Sequence, residues 1–343
     1  MGADLHVLHV VCSDGFAGVE RHVLTSALAL RAAGLQVSVI GGAPDMMREP
    51  LESADVLWRP AATIWEAASA ARGLRPVDIV NTHMTAADLA GVLIGASVHA
   101  PVVSTRHFAA HRGRNGVSRA AFGLLRVRIA AQIAVSQFVA DRIEGPSEVV
   151  RAGVSDLGPI PGLRERTVLI AQRLEAEKET AVAIEAWALL GEARQDWRLD
   201  ILGRGSQREA LERLAQERGL AESVQFAGFR TDVDEWMRRA SILVATAPLE
   251  PYGLGVLEAM ALALPVVATA SAGHLETVGA VPGAALYPSG DAGALAAHLA
   301  ALIDDEGGRG AYGRSLRTRQ RESFTLEQQT EATIRVYEKV RYR

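Results

Sequence analysis

The chain has 343 residues, enough for two domains of ordinary size, each with its own core. Its net charge of −4 gives no general attraction to nucleic acid, and the single Cys12 excludes an intramolecular disulfide and a cysteine-based metal cluster. No basic leader with a long apolar segment opens the sequence, and no run approaches the roughly 20 apolar residues of a membrane span, so a cytoplasmic protein is expected.

The first half alternates short, β-branched apolar runs with helical patterns, the mark of a doubly wound α/β domain. Strands are expected at 5–11, 35–40, 56–59, 77–82, 102–105, 132–135 and 148–151. Ligands of such sheets lie beyond the carboxyl ends of the strands. The first strand runs into Cys12-Ser13-Asp14-Gly15-Phe16-Ala17-Gly18-Val19-Glu20, with a helix expected over 19–33. Gly18 at this turn lets backbone N–H groups approach a phosphate or sugar. His83 closes the fourth strand and His107 follows the fifth, so both fall on the ligand edge. A neutral imidazole there donates to a sugar hydroxyl or to a loop carbonyl. Arg106, Arg112, Arg114, Arg119, Arg126 and Arg128 follow without an intervening acid, and apolar residues recur at helical spacing over 117–131. This stretch reads either as a loop and a solvated helix face or as a basic amphipathic patch that meets an anionic acceptor or membrane headgroups.

Residues 154–162 are rich in residues that break regular structure and mark a boundary between domains 1–153 and 154–323. After a strand at 167–171, Arg173 and Lys178 bracket a strand-to-helix turn, where two fixed cations suit a pyrophosphate. Lys178 stands out because the only other lysine is Lys339. A strand at 199–202 ends in Gly203, and one at 224–227 leads to Gly228-Phe229-Arg230, in which the Phe229 side chain reads as core. The buried strand 241–246 precedes Glu250-Pro251-Tyr252-Gly253-Leu254-Gly255-Val256-Leu257-Glu258. Gly255 suits a helix N-cap, which would put Glu258 in the first turn. Glu250 lies on the irregular segment that Pro251 and Gly253 impose, so the two carboxylates can flank one ligand; taken singly they read as a cap and a solvated loop residue. A further strand at 265–269, the run Ala272-Gly273-His274-Leu275-Glu276 and a helix capped by Gly290-Asp291 follow. The final segment, 324–343, opens with Thr325 and Gln328 in a capping-box pattern, and its apolar residues are too sparse for a core helix of its own domain.

The Glu250–Glu258 stretch with its trailing Ala259-Met260-Ala261 resembles the Glu-x7-Glu motif of the GT4-type retaining nucleotide-sugar glycosyltransferases. Other elements are similar to that family's patterns with single departures: Ala17 for the first glycine of Gly-Gly-x-Glu, Gln172 for the glycine of Gly-Arg-Leu…Lys, Ala152-Gly153-Val154-Ser155 for Asn-Gly-Val-Asp, and Ala272 for a glycine of Gly-Gly-x-x-Glu. The resemblance implies the GT-B fold, two Rossmann-like domains facing a central cleft, with the last helix crossing back to the first domain. It implies a donor site of Gly18, Arg173, Lys178, Gly203, Phe229, Arg230, Tyr252, Gly253, Leu254, Gly255 and Glu258, with Glu250, His107 and His83 as the catalytic set. Arg173 and Lys178 would hold the diphosphate, Glu258 the ribose, and Glu250 and His107 the sugar.

The implied reaction is transfer of a sugar from a nucleoside diphosphate, UDP favoured, to an acceptor hydroxyl with retention and with no metal required. The acceptor would be a secondary metabolite or a cell-envelope glycan or lipid, and the enzyme cytoplasmic, or peripheral at the inner membrane face through the 106–128 stretch. A nucleotide-sugar epimerase and a non-enzymatic sensor are the alternatives; the sensor is disfavoured by the retained cations and carboxylates. A nicotinamide dehydrogenase lacks its Gly-x-Gly-x-x-Gly turn here.

Overall fold

The computed structural model describes residues 5–74, 76–113, 122–123, 125–159 and 162–342. The chain divides into two compact units, one formed by Met1–Gly153 with Leu326–Arg343 and the other by Val154–Thr325.

In the first unit, β1 (His6–Val11), β2 (Gln36–Ile40), β3 (Leu57–Arg59), β4 (Ile79–His83), β5 (Val102–Arg106), β6 (Ile129–Ala134) and β7 (Glu148–Val149) form a parallel sheet in the order β3-β2-β1-β4-β5-β6-β7. All six residues of β1 are buried, as a strand covered on both faces requires. Its side chains alternate: Val7 and Val11 pack with the helix Gly18–Ala32, whereas Leu8 and Val10 pack with the helices Ile64–Ala70 and Thr85–Val98. The strand order reverses between β1 and β4, where Val11 lies opposite His83. Carboxyl ends at such a reversal frame a ligand crevice.

The second unit repeats the plan with β8 (Thr167–Ala171), β9 (Arg198–Leu202), β10 (Val224–Gly228), β11 (Ile242–Ala245), β12 (Val266–Thr269) and β13 (Leu286–Tyr287), ordered β10-β9-β8-β11-β12-β13. Its reversal lies between β8 and β11. Trp187 and Tyr287, both fully buried, anchor its core. The expected strands fall within a few residues of their places. Two elements escape the sequence pattern: β13 has only two residues, and the helix Glu306–Ser323 is polar and carries Gly307, Gly308 and Gly310.

Arg106 and Arg112 depart from the expected basic patch. Both are buried, because Glu144 and Asp88, remote in sequence, meet them: Arg106 Nη1 donates to Glu144 Oε1 at 2.9 Å, and Arg112 pairs with Asp88 and Glu144. Burial alone would raise the Glu144 carboxyl, but hydrogen bonds and charge from these arginines bring it down to about 2. Arg126 and Arg128 are exposed, while Arg114 and Arg119 lie outside the described residues. The expected helix over 117–131 lies partly outside them too, and from Ile129 the chain is strand β6.

The helix Leu326–Arg341 packs in the first unit, where Val336, Tyr337 and Val340 join the core beside the helix Gly18–Ala32. Gln329 Nε2 donates to Ser26 Oγ at 2.7 Å, the Gly153 N–H donates to Gln329 Oε1 at 2.7 Å, and Asn81 Nδ2 donates to Tyr337 Oη at 2.6 Å. Tyr337→Ala removes a fully buried ring and is expected to destabilise this unit by about 3–5 kcal/mol in urea denaturation. Tyr337→Phe, which only strands the buried Asn81 amide, should cost roughly 1–3 kcal/mol. Parent-like stability of the alanine variant would contradict this packing.

Candidate active site

The second unit's reversal point is built by four turns that hold one another through backbone contacts. After β8, the Gln172 amide nitrogen lies 2.8 Å from Thr246 Oγ1 and 2.9 Å from Thr180 Oγ1. Thr246, just past β11, donates its hydroxyl to the Lys178 carbonyl. The 3₁₀ turn Ala176–Lys178 is thereby fixed against the end of β11. From it, Lys178 Nζ reaches Glu250 Oε2 at 2.6 Å, with both side chains partly buried.

Glu250 is held in turn from β12. The Gly273 N–H donates to the Glu250 carbonyl at 2.9 Å, and Ser271 Oγ donates to the Pro248 carbonyl at 2.6 Å. A Cβ on Gly273 would stand 2.5–2.7 Å from backbone atoms of Pro251 and Tyr252, so only glycine permits this approach. Thr269 uses its proton on the Ala247 carbonyl at 2.7 Å, so it accepts at 2.9 Å from His274 Nδ1. Burial lowers His274 to about 4, although the nearby Glu250 carboxylate opposes this, and the ring is neutral. Gly203 serves a similar close approach: with φ of +137°, its Cβ would fall 1.9 Å from the Gln172 carbonyl.

The helix Leu254–Ala261 begins one residue after Gly253, whose φ of +88° makes Gly253 the N-cap in place of the expected Gly255. Glu258 consequently lies in the second turn, half-buried, rather than in the first. The Val256 and Leu257 N–H groups both donate to the Gly253 carbonyl, so the Leu254 and Gly255 N–H groups form the open mouth of the helix. Tyr252 is buried and packs edge-on against Phe324, with ring centroids 6.2 Å apart.

Other expected donor residues are more loosely placed. Arg173 is exposed and pairs with Glu177 at 2.6 Å. Arg230 makes two 2.9 Å hydrogen bonds to Asp232. Phe229 is 58% exposed under the Arg204 guanidinium, which corrects the expectation of a core side chain. Gly18 opens the helix Gly18–Ala32 with no atom within 4 Å of a built Cβ, and Glu20 Oε2 accepts from the Ala17 N–H at 2.9 Å.

In the first unit the two expected histidines sit in a set of four. His83 Nε2 is 3.0 Å from His9 Nδ1, and His83 Nδ1 is 2.9 Å from His107 Nε2. His22 lies edge-on to His107 with ring centroids 4.9 Å apart. His83 has no exposed surface, whereas His107 is half-buried. The sequence reading missed His9 and His22. Their only signal was position, a ring near the end of β1 and another in the second turn of the first helix, and strand register is needed to bring them together.

The family model for glycosyltransferase family 4 matches residues 16–154, and that for glycosyl transferases group 1 matches 161–322. The chain belongs to the GT4-type glycosyltransferases. The glycosyltransferase is 25% identical over 98% of its length to the lipopolysaccharide core biosynthesis mannosyltransferase LpsB of Rhizobium meliloti, covering 97% of that protein. It is 29% identical to a phosphatidyl-myo-inositol mannosyltransferase of Mycolicibacterium smegmatis, covering 88% of this chain and 86% of that one. Its fold matches Anabaena Alr3699/HepE, solved with UDP and glucose, with a TM-score of 0.82 at 18% identity over 97% of this chain and 99% of that one. The fold is therefore GT-B, with two Rossmann-like parallel-sheet domains. No described helix is long and apolar enough to cross a membrane.

Two outcomes follow for stability. Gly273→Ala must displace the 250–252 loop and is expected to destabilise the second unit by at least about 2 kcal/mol in urea denaturation; unchanged stability would contradict the close approach. Burial lowers His9 to about 3 and His22 to about 4, against about 6.5 when unfolded. Below pH 6.5 the unfolded chain takes up protons that the folded chain refuses, so stability is full above that pH and falls as the solution is acidified. These two rings alone should remove about 3 kcal/mol between about pH 7.5 and 5.5. A flat profile in that window would contradict their burial as neutral groups.

Proposed function

We propose that this glycosyltransferase moves a sugar from a nucleoside-diphosphate donor, UDP-linked, to an acceptor hydroxyl with retention of anomeric configuration. The observation that carries this reading is the 2.6 Å pair of Lys178 and Glu250 beside the open N-terminus of the helix Leu254–Ala261. A departing diphosphate needs positive charge that is already in place, and the Lys178 ammonium with the Leu254 and Gly255 N–H groups supplies it. Arg173 adds to this by leaving Glu177, its partner in a solvent-exposed and therefore weak pair.

Glu250 takes two parts. In the resting site it fixes the Lys178 ammonium; with donor bound it orients the sugar hydroxyls and favours positive charge at the anomeric carbon. Glu258, on the same helix, binds the ribose hydroxyls, and the backbone at Phe229 and Arg230 meets the base. His107 donates a hydrogen bond to the sugar, and His83 positions that ring. Retention follows if the acceptor attacks on the face that the diphosphate leaves, with a leaving-group oxygen accepting the acceptor proton. The phosphate charge is met by the chain's own cations, so the reading requires no metal for transfer. Similarity to mannosyltransferases of lipopolysaccharide core and phosphatidyl-myo-inositol supports an acceptor among cell-envelope glycans or lipids, and similarity to a protein solved with UDP supports the base. We place the reaction in the cytoplasm.

Release of UDP from a panel of UDP-sugars, with and without acceptor extracts, tests the assignment. Lys178→Ala should lower turnover about 10²-fold or more, the magnitude of losing one preorganised charge donor. Glu250→Gln should lower turnover while UDP affinity stays within a few-fold, whereas Glu258→Ala should weaken UDP binding most. Equal UDP affinity of Glu258→Ala and parent would overturn the ribose assignment, and parent-like turnover of Lys178→Ala would overturn the phosphate assignment.

A further inference from the structure

Three imidazoles from separate elements of the first unit converge: His22 on the helix Gly18–Ala32, His83 at the end of β4 and His107 just past β5. One ring nitrogen of each lies within 4.8 Å of the other two. A tetrahedral ion with zinc–nitrogen bonds near 2.0–2.1 Å holds its ligand nitrogens about 3.3 Å apart. His83 Nδ1 and His107 Nε2, at 2.9 Å, are already near that spacing. A second observation points the same way. His83 Nε2 faces His9 Nδ1 at 3.0 Å, the arrangement in which a metal-binding histidine gives its outer N–H to a fixed acceptor. That leaves the buried His9 Nε2, which has no partner among the described residues, beside a cavity of about 10 Å³ lined by Ser26, Asn81 and Tyr337, room for about one water.

We propose that His22, His83 and His107 form a binding site for a divalent transition-metal ion of the zinc class, with His9 as the positioning residue behind His83. Imidazole ligands with no thiolate and no carboxylate in the group suit zinc, cobalt and nickel rather than calcium or magnesium. The ion occupies the ring nitrogen of His107. On the reading above, that ring serves the donor sugar, so the loaded protein transfers more slowly; metal capture is an off-switch for the first unit.

The whole chain, stripped with chelator and dialysed, is titrated with zinc chloride by calorimetry and with cobalt chloride by visible spectroscopy. The expected result is one equivalent bound at micromolar affinity or tighter and the absorption of tetrahedral cobalt. His22→Gln and His107→Gln should each weaken zinc binding by at least about 100-fold, and His9→Asn by roughly 10–100-fold, as for loss of a ligand's own support. His298→Ala, in the second unit, should bind as the parent does. Cooperative thermal unfolding of each variant shows that it is folded, and zinc should raise the unfolding temperature of the parent but not of His107→Gln. No equivalent tighter than about 0.1 mM, or parent-like affinity in His107→Gln, overturns the site and leaves a hydrogen-bonded imidazole relay. UDP titration of the same samples keeps the two assignments apart: zinc binding without UDP binding would fell the donor site and leave the metal site standing.

Discussion

The second unit is organised around one ion pair between residues 72 positions apart in sequence, Lys178 and Glu250. Neither side chain could hold such a position alone, since one leaves a 3₁₀ turn and the other a loop broken by Pro251 and Gly253. What fixes them is backbone. Thr246 grips the Lys178 carbonyl, Gly273 grips the Glu250 carbonyl, and Thr269 and Ser271 close the β12 turn onto Ala247 and Pro248. The opposed charges end up 2.6 Å apart beside a helix N-terminus. A pair that is only partly buried contributes modestly to stability, so its value lies in placement. An ammonium pre-positioned at the mouth of a helix is what a departing diphosphate requires.

The first unit meets the same topological problem with different chemistry. Its reversal point is filled with neutral imidazoles, and the neighbouring strands enclose the Asp88–Arg112–Glu144–Arg106 network. The network holds two arginines and two carboxylates, so it is balanced internally. The imidazole group is uncharged and depends on hydrogen bonds between rings, with one nitrogen of His9 unpartnered among the described residues. One charge network is complete and the imidazole group is not, which is why the latter invites a ligand.

Much of this was legible in the sequence because parallel strands buried on both faces advertise themselves as short apolar runs. The Glu250–Glu258 spacing and the lone lysine of the second unit singled out both members of the ion pair. Their direct contact was not legible, because it depends on how four turns pack. The helix start was misjudged by two residues, since Gly253 and Gly255 are equally good caps by composition and only the left-handed backbone at Gly253 decides between them. The arginine-rich stretch misled for a related reason: its acids, Asp88 and Glu144, lie outside the window in sequence and inside it in space. His9 and His22 went unnoticed because a histidine carries no periodic signature, and only the pairing of β1 with β4, which sets His9 beside Asn81 and Val11 beside His83, brings the His9 ring within reach of the His83 ring. Phe229 read as core by residue type, yet it closes a strand at the open edge of the sheet and stacks under Arg204.

The family is fixed by matches along both units, and the donor site rests on the ion pair and the helix mouth. Calorimetric titration of the purified chain with UDP, GDP and ADP, each with and without chelator, tests that site most directly. The expected result is selective binding of UDP that is indifferent to chelator, with phosphate charge met by Lys178, Arg173 and backbone N–H groups. Absence of binding by all three nucleotides, or binding that disappears with chelator, would contradict it.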